Sequence, residues 1–305
     1  MPAMKIIKRR ISSVNSTKQI MKAMNLVATT KMQLAKKRMS EIRPMFEEIK
    51  QMMDAVTALD NASDSIYVKT KDKAAANSAY LVITGDRGLC GGYNQNVAKT
   101  ALLHMDSKKT ANSMIFTAGN KGFEYFSNRH RNIQARYTGV SENAKFEDAA
   151  KIGAELIGLY NSGAVDEIYV AYTEYESVLS HIPRVVKILP LEKTKPLPDE
   201  QSGEKEEKAA LGRPETVVYN ETMIYDPDFD TFINEAIPLY LNVFLYGAMV
   251  ESSVCELASR MTSMDTAVHN AEEIIGDLTL VFNRTRQAII TQEISEIVGG
   301  ANALQ

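Results

Sequence analysis

Residues 4–58, MKIIKRRISSVNSTKQIMKAMNLVATTKMQLAKKRMSEIRPMFEEIKQMMDAVTA, decide the fold. Ile7, Val14, Met21, Ala28, Ala35, Ile42, Ile49 and Val56 fall every seven residues, with Ile11, Lys18, Asn25, Met32, Met39, Phe46 and Met53 between them. A stripe that recurs every 3.5 residues is the seam of a coiled coil, here sustained for about seven heptads with polar intrusions at Lys18 and Asn25. The spacing predicts one helix from near residue 4 to near residue 58, roughly 80 Å long at 1.5 Å per residue. Pro44 is expected to bend it, because proline removes a backbone donor and crowds the preceding turn. The opening residues are basic, Ser-containing and free of acids, as in an organellar transit peptide. A transit peptide loses its pattern where the mature protein begins. Here the seam continues unbroken, so the segment reads as structure.

The last third repeats the signal. Val250, Val254, Leu257, Met261, Met264, Val268, Ala271, Ile275, Leu278, Phe282, Thr285 and Ile289 alternate spacings of four and three. They predict a second helix from about Asp230 to Val298, of order 100 Å, with Pro238 suited to its first turn and Gly299-Gly300 to its stop. Neither narrow seam can be buried alone in water. The economical solution packs the two together, and a globular segment between them makes the pair antiparallel. Charge agrees. Residues 1–40 hold ten Lys/Arg and no acid, whereas residues 230–305 hold ten Asp/Glu against Arg260, Arg284 and Arg286. Such a split marks an interaction tail, a nucleic-acid contact, or two segments that meet.

Between the helices the pattern changes to short apolar runs alternating with helical stretches. Ala79–Thr84, Ser113–Thr117, Ile133–Thr138 and Glu167–Thr173 read as strands, and 94–105, 120–128 and 146–161 as helices. That alternation implies parallel pairing through crossover helices, with Val185–Leu189 and Thr216–Tyr219 extending the sheet. Residues 192–214 lack apolar periodicity and read as a mobile surface loop. The expected architecture is therefore α/β plus long helices. The N- and C-terminal helices form an antiparallel two-helix coiled coil (residues 1–60 and 230–305), and residues 61–229 form a central Rossmann-like α/β domain.

Composition sets the outer bounds. The chain has 305 residues, 45% of them hydrophobic and 24% charged, with a net charge of −3, which excludes collagen, a disordered acidic chain and a disulfide scaffold. Its longest uncharged apolar run, Ala236–Val250, is shorter than the roughly 20 residues needed to span a bilayer. The two cysteines, Cys90 and Cys255, fit a reducing compartment.

Candidate chemistry is sparse. Gly85, Gly88, Gly91 and Gly92 follow a strand and precede a helix, the setting of a phosphate cradle. Their spacing matches neither dinucleotide fingerprint nor P-loop, and no acid ends the next strand to hold a ribose. Glycines serving a tight β-to-α turn are the better reading. His104, His130, His181 and His269 are scattered, and only His269 has carboxylates at helical spacing, Asp265 and Glu273, as on a solvated face. The basic N-terminal stretch contains no aromatic within residues 1–45 to stack bases, and its charges spread around the helix. No cofactor, metal or catalytic residue is expected.

The strings RRISSVNSTKQIMKAMNLVATTKM, GDRGLCGGYN, ASRMTSMDTAVHNAEEIIGDLTLVFN and FNRTRQAIITQEISEIVGGANAL resemble, in order, the gamma subunit family of F-type ATP synthase, and the likeness runs from residue 3 to residue 303. The resemblance implies a central-stalk rotor that is not itself an enzyme. Ion flow through a ring of c subunits turns it inside three alpha and three beta subunits, with the epsilon subunit beside its α/β domain. It implies beta-subunit contacts at Met24, Arg260, Arg286, Gln287 and Thr291. It implies basic contacts at the mouth of the hexamer from Lys8, Arg9 and Lys31, and an epsilon and c-ring side at Tyr225 and Asp226. The chain departs from the family pattern at Met21, where threonine is common, and it lacks the paired-cysteine insertion of chloroplast relatives. A helix that starts at once points to a bacterial protein, peripheral to the cytoplasmic side of the plasma membrane. A coiled-coil scaffold or nucleic-acid tether with an α/β head, and a dinucleotide enzyme using the Gly-rich turn, are the alternatives. The former predicts homodimers, the latter tight cofactor binding.

Overall fold

The computed structural model describes residues 2–57, 66–68, 77–108, 112–191 and 229–303. The stretch 192–214, the expected strand Thr216–Tyr219, and Tyr225 and Asp226 lie outside the described residues. The described elements are α1 (Pro2–Thr57), β1 (Asn77–Ile83), α2 (Tyr93–Ser107), β2 (Asn112–Ala118), α3 (Asn120–Ser127), β3 (Ile133–Tyr137), α4 (Phe146–Asn161), β4 (Glu167–Tyr175), β5 (His181–Leu189) and α5 (Phe229–Ala303). They gather into two compact units. One comprises Met1–Leu34, Leu89–Gly92 and Glu256–Gln305; the other comprises Ala35–Gly88 and Tyr93–Cys255.

The first unit is the two-helix coil. Asn25 Nδ2 donates to the Met261 carbonyl at 3.0 Å, while Lys18 and Lys22 reach Glu272 Oε1 at 3.6 and 3.5 Å. Numbers fall along α1 as they rise along α5, so the pair is antiparallel. Within this unit, every seam position of α1 from Ile7 to Met32 is partly or fully buried, as is every seam position of α5 from Leu257 to Ile289. Lys18 and Asn25, the polar intrusions, both bond across the seam. Continuing the pairing brings Pro2 level with about residue 288. Residues 291–299 are all exposed.

The expected start near Asp230 holds, and the expected stop moves. Helix α5 begins at Phe229, so Pro238 lies nine residues inside it and not in its first turn, and the helix continues through Gly299 and Gly300 to Ala303. Proline costs one intrahelical bond, which the buried neighbours Ile233, Ile237 and Leu241 offset. Glycine weakens a helix by about 1 kcal/mol each without forbidding its dihedrals, so a pair of them near an end is no certain stop. Helix α1 likewise runs without interruption through Pro44.

The second unit is a five-stranded sheet of order β3-β2-β1-β4-β5, sandwiched between helices. β1, β2, β3 and β4 pair in parallel, as the strand-helix alternation predicts, and β5 adds an antiparallel edge to β4. Alternation along β1 divides the core. Leu81 and Ile83 join Phe116, Ile168 and Val170 against α4 and the α5 residues Ile237, Leu241 and Phe244. Tyr80 and Val82 face the other way, with Ile115, Tyr169 and Ala171, against α2 and α3. The apolar stretch of α5 that approaches membrane-spanning composition is thus the core helix of this unit. Helix α4 approaches α5 so closely that a Cβ on Gly153 would lie 2.1 Å from Asn242 Oδ1. A side chain at 153 must displace that amide from a site where it is already buried without a hydrogen bond.

Leu81 is fully buried between the layers, so Leu81→Ala is expected to cost about 3 kcal/mol in denaturant unfolding. Gly153→Ala should destabilise the natural chain yet be neutral or stabilising beside Asn242→Ala, since the alanine then only improves helix propensity. The double-mutant cycle should show a coupling of about 1 kcal/mol or more. Hydrogen bonding and charge from Lys22, then the charge of Lys18, hold the Glu272 carboxyl below its ordinary range. The coil contribution of this pair is therefore present above the usual glutamate pKa and is lost as pH falls through the depressed value; carboxyl titration by NMR in Lys22→Ala should return Glu272 toward the normal range.

Candidate functional site

In an open α/β sheet, ligands bind where the strand order reverses, outside the carboxyl ends of the strands. Here that point lies between β1 and β4, and the Gly-rich turn leaves β1 directly above it. On the β2 and β3 side of this point the turn is braced by the chain's own groups. Asp86 Oδ1 accepts the Asn120 N–H at 3.1 Å, at the start of α3. Its Oδ2 accepts the Gly139 N–H at 2.9 Å and the Ser141 hydroxyl at 3.1 Å. Asn94 braces the other side. Its Oδ1 accepts the Gly85 N–H at 2.7 Å, and its Nδ2 donates to the Arg87 carbonyl at 3.2 Å. An internal carboxylate and amide thus brace the Gly-rich turn from within the chain. Among its glycines, Gly91 is constrained directly. It has φ +55°, and a Cβ there would lie 3.0 Å from Ser263 Oγ on α5.

The remaining polar groups also serve packing. Tyr80 OH hydrogen-bonds His104 Nδ1 at 3.0 Å, and the Tyr80 ring stacks on Tyr169 at 4.8 Å. Burial, followed by the Lys108 charge, lowers the His104 pKa, so this histidine is a neutral core residue at physiological pH. His269 is 85% exposed and 3.9 Å from Glu272. Cys90 and Cys255 are buried and form no disulfide. Among the described residues no three His, Cys, Asp or Glu side chains gather in a metal-binding group. An open depression of about 400 Å³ at the amino ends of β2 and β3 is lined by Asp106, Lys108, His130 and Arg131, with Arg131 paired to Asp106 at 2.7 Å.

What the molecule displays instead is a long helical pair with an exposed exterior. Lys5, Lys8, Arg9, Arg10 and Lys31 on α1 are all exposed, as are Leu26 and Val27 beside the seam. A family model described as ATP synthase matches residues 3–304. The ATP synthase gamma chain of Alkaliphilus metalliredigens is 41% identical over 303 residues, covering 99% of each chain. The sodium-ion-specific ATP synthase gamma chain of Acetobacterium woodii is 39% identical, covering 98% of this chain and 97% of that one. The chain belongs to the ATP synthase gamma chain family. A chain of the mitochondrial ATP synthase of Euglena gracilis shares the fold, with a TM-score of 0.68 at 16% identity over 99% of this chain and 95% of that one. Gamma chains form the central stalk of F-type ATP synthases, and catalysis there belongs to the beta subunits.

The gamma-chain contact residues expected from sequence fall into groups. Arg286, Gln287 and Thr291 are exposed on consecutive turns at the far end of α5, and the exposed Lys8 and Arg9 lie at the same end of the coil. Met24 and Arg260 lie beside the Asn25–Met261 bond, near the middle. Lys31 is exposed but sits roughly 35 Å along α1 from Lys8, so a single narrow collar cannot engage both. Arg260 is only 7% exposed, and its guanidinium meets Glu256 Oε1 at 2.5 Å on the preceding turn. Glu256 was not singled out from sequence, although its i,i+4 spacing to Arg260 is the visible signal. Tyr225 and Asp226 lie outside the described residues.

Removing the internal anion should loosen the turn without creating a function. Asp86→Ala strands two backbone N–H groups and a hydroxyl, and is expected to destabilise the α/β unit by about 2 kcal/mol in chemical denaturation. Adding ADP or NAD to that variant should not restore the loss.

Proposed function

We propose that this chain is the rotor shaft of a bacterial F-type ATP synthase, turning inside three alpha and three beta subunits, with its α/β domain on the side of epsilon and the c-ring. The carrying observation is the antiparallel coil of two helices with unlike outer faces, basic along α1 at Lys5, Lys8, Arg9 and Arg10, and mixed along α5 at Arg286, Gln287, Ile290 and Thr291. Such a shaft lacks rotational symmetry, so each orientation offers the three beta subunits different surfaces. A differential contact shifts the affinity of each nucleotide site, and ion-driven rotation makes that shift sequential. ATP hydrolysis runs the cycle in reverse.

Within this reading, Arg286, Gln287, Thr291, Lys8 and Arg9 meet the upper collar of the hexamer, Met24 and Arg260 meet beta subunits lower down, and Lys31 serves a separate level. Tyr225 and Asp226 serve the epsilon and c-ring side. The domain limits follow the same plan, with residues 1–60 and 230–305 supplying the shaft and 61–229 the head. The complex sits on the cytoplasmic face of the bacterial inner membrane, with this chain held there through the c-ring.

Native mass spectrometry of the complex purified through a tag on this chain should give one copy with three each of two larger subunits and ATPase activity. A homodimer, or the chain with nucleic acid alone, would sink the rotor reading. Replacing Arg286, Gln287 and Thr291 together by alanine should lower steady-state ATPase several-fold. As exposed positions they should change unfolding stability by no more than about 0.5 kcal/mol each.

A further inference from the structure

The last residues of β4 have a strand on one side only. β1 pairs with β4 as far as Val82 opposite Ala171, whereas β5 accompanies β4 to Tyr175. Beyond Ala171 the backbone groups on the β1 side would be buried without partners, and one turn of α5 supplies them. Ser252 Oγ accepts the Thr173 N–H at 3.3 Å, and Glu251 Oε1 accepts the Tyr175 N–H at 2.8 Å. The Cys255 thiol donates to the Thr173 carbonyl at 3.5 Å. Helix α1 grips the same strand end, with Lys36 Nζ 4.8 Å from the centre of the Tyr175 ring. Thr173, Ser252 and Cys255 are all buried.

Most of what holds α5 to the sheet is apolar, and apolar contact has no direction: a helix can slide or roll on such a surface while keeping most of its buried area. Buried hydrogen bonds behave otherwise. They fix axial position and roll together, because displacement leaves donors and acceptors without water. We infer that Glu251, Ser252 and Cys255, with Lys36 on α1, form a polar catch that fixes the base of both long helices to the free edge of β4 and bears the torque passing between the α/β domain and the shaft. The catch rests on the rotor reading, because only a turning shaft loads this contact. Glu251, Ser252 and Lys36 are positioning residues. They touch no nucleotide, and they determine whether rotation of one part turns the other.

The test uses the complete ATP synthase in membrane vesicles, with this chain natural or carrying Glu251→Ala and Ser252→Ala together. In the double variant, ATP hydrolysis is expected to persist, while ions pumped per ATP hydrolysed fall. Hydrogen exchange of the peptide spanning residues 171–176 should rise about tenfold, with the peptide spanning residues 78–82 unchanged. Unchanged exchange at 171–176 would show that α5 does not hold the strand edge. Raised exchange with an unchanged pumping ratio would show that the contact bears no load. Either result overturns the catch. Should the double variant fail to assemble, Ser252→Ala is compared with Ser252→Thr, which keeps the hydroxyl. Threonine is expected to preserve the ratio and alanine to lower it, and equal behaviour overturns the inference. If vesicles with the natural chain do not pump at all, the rotor reading fails, and the exchange measurement still reports whether α5 holds the edge.

Discussion

A helix with an apolar stripe only two positions wide in every seven cannot hide that stripe by itself, and this constraint organises the chain. Helix α1 has 56 residues and no second apolar face with which to join a conventional layered core throughout its length. Its upper half finds α5, the one other element carrying a matching stripe. The directed contacts of the pairing include Asn25 on the Met261 carbonyl and two lysines on Glu272. These set direction and register, while the apolar seam supplies most of the stability. The opposite charges of the two terminal segments are only partly spent on one another. Most α1 cations remain exposed and available to other surfaces.

The α/β unit holds its Gly-rich turn with groups of its own. Its strand order reverses between β1 and β4, and the turn leaves β1 there. Asp86 braces the turn on the other side of β1, bonded to the N-terminus of α3 and to Gly139 and Ser141. A carboxylate fixed by two backbone amides and a hydroxyl is a strong internal brace. The same residues that would suggest an enzyme therefore make the unit a rigid head, which a torque-bearing part requires.

Much of this was legible because it rests on periodicity. The α1 seam residues from Ile7 to Met53 are the covered positions, and α4 spans the predicted Phe146–Asn161. Alternation of strand and helix was enough to predict parallel pairing. The misreadings came from local signals that tertiary packing overrode. Pro238 looked like a first turn, but apolar residues on both sides keep it inside the helix. Gly299-Gly300 looked like a stop, but glycine only lowers helix stability. Asp86 was passed over because its partners, Asn120, Gly139 and Ser141, are distant in sequence and come together only once β1, β2 and β3 are aligned. The burial of Arg260 against Glu256 depends on how the two helices meet, which a one-dimensional pattern does not specify.

The inequality of the two helices carries the functional logic furthest. Two like faces about one axis would present nearly the same profile every half turn, and a threefold ring around them would feel little difference between orientations. Here the outer face of α1 is basic at Lys5, Lys8, Arg9 and Arg10, whereas the exposed end of α5 mixes Ile294, Ile297 and Val298 with Arg286, Gln287 and Thr291. A surface of this kind binds no orientation permanently, since its polar residues remain solvated. It need only distinguish orientations by modest amounts. A difference of about 1.4 kcal/mol between two rotor angles changes a site's conformational equilibrium tenfold. Directional work therefore requires no strong bond between shaft and ring. It requires a stiff coil, a head that does not slip, and an end without symmetry, and each of these traces to named residues of this sequence.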